Sequence, residues 1–244
     1  MTNVVIPLYE GVTPLDFTGP YQILRVLPEM DIQLAALSQK EIVADGLTFG
    51  ALQDLERIDS CDVLLVPGGL GCIAALETPR FLAEIRRLGA SAGYVTSVCT
   101  GSLILAAAGL LDGRRAACHW AFRTLLSAFG AIPDAGRVVR DGNRISGGGV
   151  TAGMDFALSL IAELRGEEAA QGAQLLLEYA PEPPFAAGLP EMAPRPVLEA
   201  VNARLSTALA EMSHSTAMPP SAANRRAAAR PMPPAAPVTT HTLS

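Results

Sequence analysis

Short, continuous apolar runs alternate along the chain with longer segments whose apolar residues recur at helical spacing. Val4-Val5-Ile6-Pro7-Leu8-Tyr9 reads as a first buried strand and Ile32 to Leu37 as a second. Val63-Leu64-Leu65-Val66, which ends in Pro67-Gly68-Gly69, reads as another. Unbroken runs of this kind suit parallel strands covered on both faces. Thr13 to Leu27 predicts a helix with Pro20 near its first turn, and Pro79 to Ala90 a helix opened by proline. Glu41 to Phe49 predicts a hairpin turning at Asp45-Gly46. Gly93-Tyr94-Val95-Thr96-Ser97 is a strand that runs through Val98-Cys99-Thr100-Gly101-Ser102 into the helical run Leu103 to Ala108. Leu110-Leu111-Asp112-Gly113 is a stop and turn. A strand over Arg114 to Cys118 and a helix over Ala121 to Phe129 follow. Val138 to Ser146 then predicts a hairpin turning at Asp141-Gly142-Asn143. Gly147-Gly148-Gly149 is a loop, followed by helices over Thr151 to Leu164 and Glu167 to Tyr179.

Strands alternating with helices give an α/β class, a doubly wound and mostly parallel sheet flanked by helices. Ligands in such sheets bind beyond the carboxyl ends of the strands. The loop Pro67-Gly68-Gly69-Leu70-Gly71 and the turn at Cys99 are both expected there. This domain is expected over residues 1–190. Residues 191–212 form a helical extension, because Val197, Leu198, Val201, Leu205 and Leu209 keep helical spacing between Pro196 and Met212. Residues 213–244 are rich in proline and alanine, carry Arg225, Arg226 and Arg230, and are expected to be disordered.

Composition narrows the function. Of 244 residues, 50% are hydrophobic and 17% charged, enough to bury a sizeable core. The net charge of -6 argues against nucleic acid as the main partner, since phosphate binding needs a basic face. No apolar run reaches the ~18 residues of a membrane span. Met1-Thr2-Asn3 carries no basic signal region and Val4 to Leu8 is too short for a signal core, so a cytoplasmic location is expected. The four cysteines, Cys61, Cys72, Cys99 and Cys118, form no CxxC pair, so neither a zinc site nor a disulfide is expected. Cys61 and Cys118 read as core fillers. Cys72, after the glycine loop, is either a neighbour of the site with a redox role or another filler.

The chemistry centres on Cys99. A thiol at a strand-to-helix turn with small neighbours, Ser97-x-Cys99-x-Gly101, has the layout of a nucleophile elbow. The helix N-terminus behind it favours thiolate. Its proton needs a manager. His119 is one candidate, although no acidic partner follows it and a pocket-wall role is its alternative. Asp16 is the other. It reads either as an N-cap or, because strand ends cluster at one edge, as a carboxyl facing the thiol. In the second case desolvation raises the carboxyl pKa and the helix lowers that of the thiol, giving a resting thiolate beside a protonated acid. Gly68 and Gly69 form a plain turn or aim their amides, with that of Thr100, at developing negative charge.

Several motifs together resemble the ThiJ/PfpI superfamily, which shares the class I glutamine amidotransferase-like, flavodoxin-like fold. They are Leu15-Asp16-Phe17-Thr18-Gly19-Pro20, Val66-Pro67-Gly68-Gly69, Val95 to Ser102, His119-Trp120, Gly147 to Asp155 and Glu178-Tyr179-Ala180-Pro181. Within it, the chain is similar to the isocyanide hydratase family, which adds water to an isocyanide to give an N-substituted formamide. The resemblance implies Cys99 as nucleophile and Asp16 as its proton-handling partner. It also implies Thr100, Gly68, Gly69 and Trp120 around the substrate, a homodimer, and no metal or organic cofactor. Protease-like relatives carry histidine after the cysteine, where this chain has Thr100. Two further readings stay open. One is a sensor domain related to AraC-type transcription regulators without their DNA-binding region. The other is a different cysteine hydrolase or glyoxalase of the same superfamily.

Overall fold

A computed structural model of the chain describes residues 1–217. The strands are β1 (Thr2–Pro7), β2 (Met30–Ala36), β3 (Ile42–Ala44), β4 (Leu47–Phe49), β5 (Gln53–Asp54), β6 (Val63–Val66), β7 (Tyr94–Val98), β8 (Arg115–Ala117), β9 (Ile132–Asp134), β10 (Val138–Asp141) and β11 (Arg144–Gly147). The helices are α1 (Pro14–Leu24), α2 (Cys72–Leu76), α3 (Pro79–Ser91), α4 (Gly101–Ala107), α5 (Ala152–Arg165), α6 (Glu167–Leu176) and α7 (Arg195–Ala217). Seven strands form the central sheet in the order β10-β11-β7-β6-β1-β2-β5. All its pairings are parallel except the edge hairpin β10-β11.

The most apolar runs lie in the middle of this sheet, as burial on both faces requires. Every residue of β6 is buried, and β1 and β7 flank it. The register aligns the carboxyl ends: Val66 of β6 pairs with Ser97 of β7, and Val98 with Gly147 of β11. After β1 the chain builds β2 and β5 on one side, then returns to β6 on the other, so the strand order reverses between β1 and β6. Crevices open at such a reversal. The α1 helix packs on α5, and α5 on α6. The helices α2, α3 and α4 pack on one another.

Several expectations need correction. Pro14, not Pro20, opens α1. Pro20 lies inside the helix, where its missing N–H removes the bond to the Asp16 carbonyl, and it packs on Gly153 of α5. A Cβ there would lie 3.1 Å from Pro20 Cγ. Arg123–Phe129 winds as a 3-10 helix rather than an α-helix and stops at Gly130 in the left-handed conformation. The strand expected over Arg114 to Cys118 is present as β8, and it pairs with β9 in a separate two-stranded sheet. The α7 helix starts at Arg195 and runs to Ala217, past the expected boundary at Met212. Its C-terminal half is held to the body by Met212, which is buried. The rest of the expected disordered tail, residues 218–244, lies outside the described residues.

Candidate active site

Cys99 follows β7 with a φ of 58°, the strained geometry of an elbow residue held by its surroundings. Its N–H donates to Gly147 O at 2.9 Å, and Ser102 Oγ donates to its carbonyl at 3.0 Å. The turn is pressed against the end of β6. A Cβ on Gly101 would lie 2.1 Å from Val66 O, so only glycine fits there. The Thr100 N–H faces the Cys99 sulfur. The Thr100 hydroxyl clasps the neighbouring loop: Oγ1 accepts from Gly69 N at 2.9 Å and donates to Gly69 O at 3.1 Å.

Asp16 enters from the third position of α1, which leaves β1 at the same edge. It is fully buried. Its Oδ2 accepts from Gly68 N at 2.9 Å, and the Cys99 thiol is hydrogen-bonded to the same carboxyl group. Oδ1 receives no N–H or O–H donor among the described residues. Burial pushes the Asp16 carboxyl up to about 7, against the lowering effect of the Gly68 and Cys99 hydrogen bonds. Burial also pushes the Cys99 thiol well above its usual range, helped by the Asp16 charge and opposed by the Thr100 N–H.

These partners change three expectations. Asp16 is not the N-cap; Thr13 holds that position, and the Asp16 carboxyl reaches across to β6. The Gly68 and Gly69 amides do not form an oxyanion hole, because the first is taken by Asp16 Oδ2 and the second by Thr100 Oγ1. Of the three expected amides, that of Thr100 points at the Cys99 sulfur. The thiol of Cys99 is not ionised at rest, since burial outweighs the start of a seven-residue helix. The proton therefore sits on sulfur, within hydrogen-bond reach of the Asp16 carboxyl.

The other candidates lie further out. Burial pushes half-buried His119 below its usual range. Its Nδ1 accepts from Ala121 N at 3.4 Å, and its ring lies 5.5 Å from that of Trp120 and 5.7 Å from that of Phe122. It packs against these two rings and holds no hydrogen bond to Cys99 or Asp16. Trp120 is half-buried beside it, also without such a contact. Cys72 and Cys118 are both buried near the site. Cys72 Sγ donates to Thr100 O at 3.5 Å. Burial holds the Cys118 thiol at about 12, so it stays neutral. Among the described residues, no group of three or more His, Cys, Asp or Glu converges as a metal site. The Gly147–Asp155 motif serves structure as well: its last residue, Asp155, pairs with Arg137 and accepts from Tyr179 Oη at 2.9 Å.

Tyr9 was not foreseen as part of this environment. Its hydroxyl donates to Pro67 O at 2.9 Å. A strand-end tyrosine carries no sequence signal that it meets a loop 58 residues away.

The site can be compared with known proteins. The chain is 47% identical over 203 residues to an isonitrile hydratase of Pseudomonas putida, covering 83% of this chain and 89% of that one. It is 30% identical over 173 residues to the HTH-type transcriptional regulator CdhR of Pseudomonas aeruginosa, but spans only 51% of its length. A crystal structure of a ThiJ/PfpI family protein from Pseudomonas syringae superposes with a TM-score of 0.86 at 41% identity, over 89% of this chain and 91% of that one. Residues 2–163 match the model of the DJ-1/PfpI family. With the elbow cysteine, the buried carboxyl and the shared sheet in place, the chain belongs to the DJ-1/PfpI family.

Proposed function

We propose that this protein is an isocyanide hydratase, a hydro-lyase that turns an isocyanide into an N-substituted formamide through a thioimidate on Cys99. The observation that carries the reading is the buried pair of Asp16 and Cys99. A carboxyl at about 7 exchanges a proton with a thiol at neutral pH, and among the described residues no histidine is hydrogen-bonded to either. The similarity to an isonitrile hydratase along most of both chains supports the same reading.

The terminal carbon of an isocyanide accepts a soft nucleophile and becomes basic as the new bond forms. Cys99 Sγ gives its proton to the Asp16 carboxylate and attacks that carbon. The Thr100 N–H steadies the sulfur while it carries charge. Asp16 then hands the proton to the carbon, which yields a thioimidate, R–N=CH–S–Cys99, and restores the carboxylate. Asp16 next takes a proton from water, whose oxygen adds to the same carbon, and returns that proton to nitrogen. The tetrahedral adduct R–NH–CH(OH)–S–Cys99 collapses. Its hydroxyl proton passes to the leaving sulfur, and the formamide R–NH–CHO departs. The sum is one isocyanide plus one water, with no metal or organic cofactor in any step.

A homodimer belongs to the same reading. It is supported by Leu15 and Leu70, apolar side chains 41% and 56% exposed beside Asp16 and the Gly68-Gly69 loop. A cytoplasmic location, where thiols stay reduced, agrees with four free cysteines. The chain spans half of the CdhR regulator, and no observation on its surface favours DNA binding.

The test is a substrate panel on the full chain. Aryl isocyanide, simple amides and methylglyoxal are each supplied, and product is quantified by chromatography. Formamide from the isocyanide at enzymatic rates is expected. Turnover of an amide or of methylglyoxal, with the isocyanide untouched, would move the protein to another cysteine hydrolase or glyoxalase.

A further inference from the structure

Among the described residues, the only N–H that binds the Asp16 carboxyl belongs to the peptide between Pro67 and Gly68. That peptide has a second holder. Its carbonyl accepts the Tyr9 hydroxyl at 2.9 Å, while its N–H donates to Asp16 Oδ2 at 2.9 Å. In a trans peptide the two groups point in opposite directions. Tyr9 and Asp16 therefore grip opposite ends of one rigid plane.

The plane has little room on its other sides. A Cβ on Gly68 would lie 2.5 Å from Thr100 N and 2.8 Å from Asp16 Oδ2. A Cβ on Gly101 would lie 2.9 Å from both the Pro67 carbonyl carbon and its oxygen. What such packing leaves free is rotation about the long axis of the peptide, and the bond from Tyr9 removes it. The tyrosine ring is itself fixed, buried and edge-on to Phe81 with centroids 5.6 Å apart. Donation to a carbonyl also polarises the amide and makes its N–H a better donor, by about 10–30% per bond in a chain of this kind.

We infer that Tyr9 is a positioning residue for the proton carrier: it fixes and polarises the Pro67–Gly68 peptide whose N–H sets how readily Asp16 releases its proton. This rests on Asp16 being the proton carrier proposed above. The Gly68 N–H favours the carboxylate. Without Tyr9 the peptide tilts, that bond weakens, and Asp16 holds its proton to higher pH. The titratable groups facing Asp16 are Cys99, Cys118 and Tyr9. Burial pushes the Tyr9 phenol up as well, so it stays neutral around pH 7 and its loss removes no charge.

The experiment uses the full chain and infrared difference spectroscopy. The carboxylic C=O band missing from Asp16→Asn is assigned to Asp16, and its midpoint is read against pH. In Tyr9→Phe, which keeps the ring in the core, the carboxylate fraction at pH 7 is expected to fall about threefold. Placing 3-fluorotyrosine at position 9 makes a stronger donor, and the midpoint is expected to move down. If Tyr9→Phe does not fold, the fluorinated protein decides alone. A midpoint equal to that of the unaltered chain, or one displaced in the opposite direction, overturns the inference. The readout needs no isocyanide. A shifted midpoint with no formamide from the unaltered protein would sink the hydratase reading and leave the positioning role standing.

Discussion

A carboxyl with no exposed surface and a single N–H donor is costly to ionise, and Asp16 shows this in two measurable ways. Its folded pKa, about 7, lies above its usual 3.8. The folded chain therefore binds an extra proton between those values. By linkage the stability contributed by this group is full below about pH 4, falls as pH rises to 7, and then stays flat. Asp16→Asn removes the buried charge. It is expected to raise stability above pH 7 by about 2 kcal/mol and to change little at pH 3.5, read from urea midpoints at both pH values. Catalysis runs the other way. In the proposed scheme the carboxylate accepts the thiol proton, so kcat/KM for isocyanide is expected to rise as pH climbs through 7, and a profile falling over that range would contradict the scheme. Cys99 was legible as a candidate because a cysteine flanked by small residues at a strand-to-helix junction has few other uses. Asp16 was legible as a candidate, but its competing reading as a cap ended only when the carboxyl was seen to reach Gly68. The jobs of the Gly68 and Gly69 amides were not legible, because their acceptors come from α1 and the elbow.

At the level of elements, long runs of one period were readable and short ones were not. The strands β1, β2, β6 and β7 and the helices α3 and α5 follow apolar patterns that their burial explains. The two-residue β5 and the pair β8 and β9 carry no such pattern, because their pairing is decided by neighbours already in place. The elbow depends on how closely α4 approaches β6. Gly101→Ala would put a carbon 2.1 Å from the Val66 carbonyl, a backbone atom of the central strand. A loss of about 3 kcal/mol or more is expected, measured by chemical denaturation. The α7 helix has a different dependence. Its first half is exposed, and it is held at the other end, where fully buried Met212 packs. Met212→Ala is expected to cost about 2–4 kcal/mol in the same measurement.

The whole molecule is a doubly wound sheet whose reversal between β1 and β6 brings the carboxyl ends of β1, β6, β7 and β11 to one edge. That topology explains why residues 16, 68 and 99, far apart in the chain, meet in one hydrogen-bonded cluster. Light scattering is expected to give a mass near twice the 25.4 kDa of one chain; a monomer at micromolar concentration would remove the dimer from the account. The central claim is that water reaches the isocyanide carbon only after sulfur has. The most direct measurement is the rate of formamide release from an aryl isocyanide by Cys99→Ala, whose fold is first confirmed by circular dichroism. No formamide above the uncatalysed background is expected, whereas release at the rate of the unaltered protein would contradict covalent catalysis by Cys99.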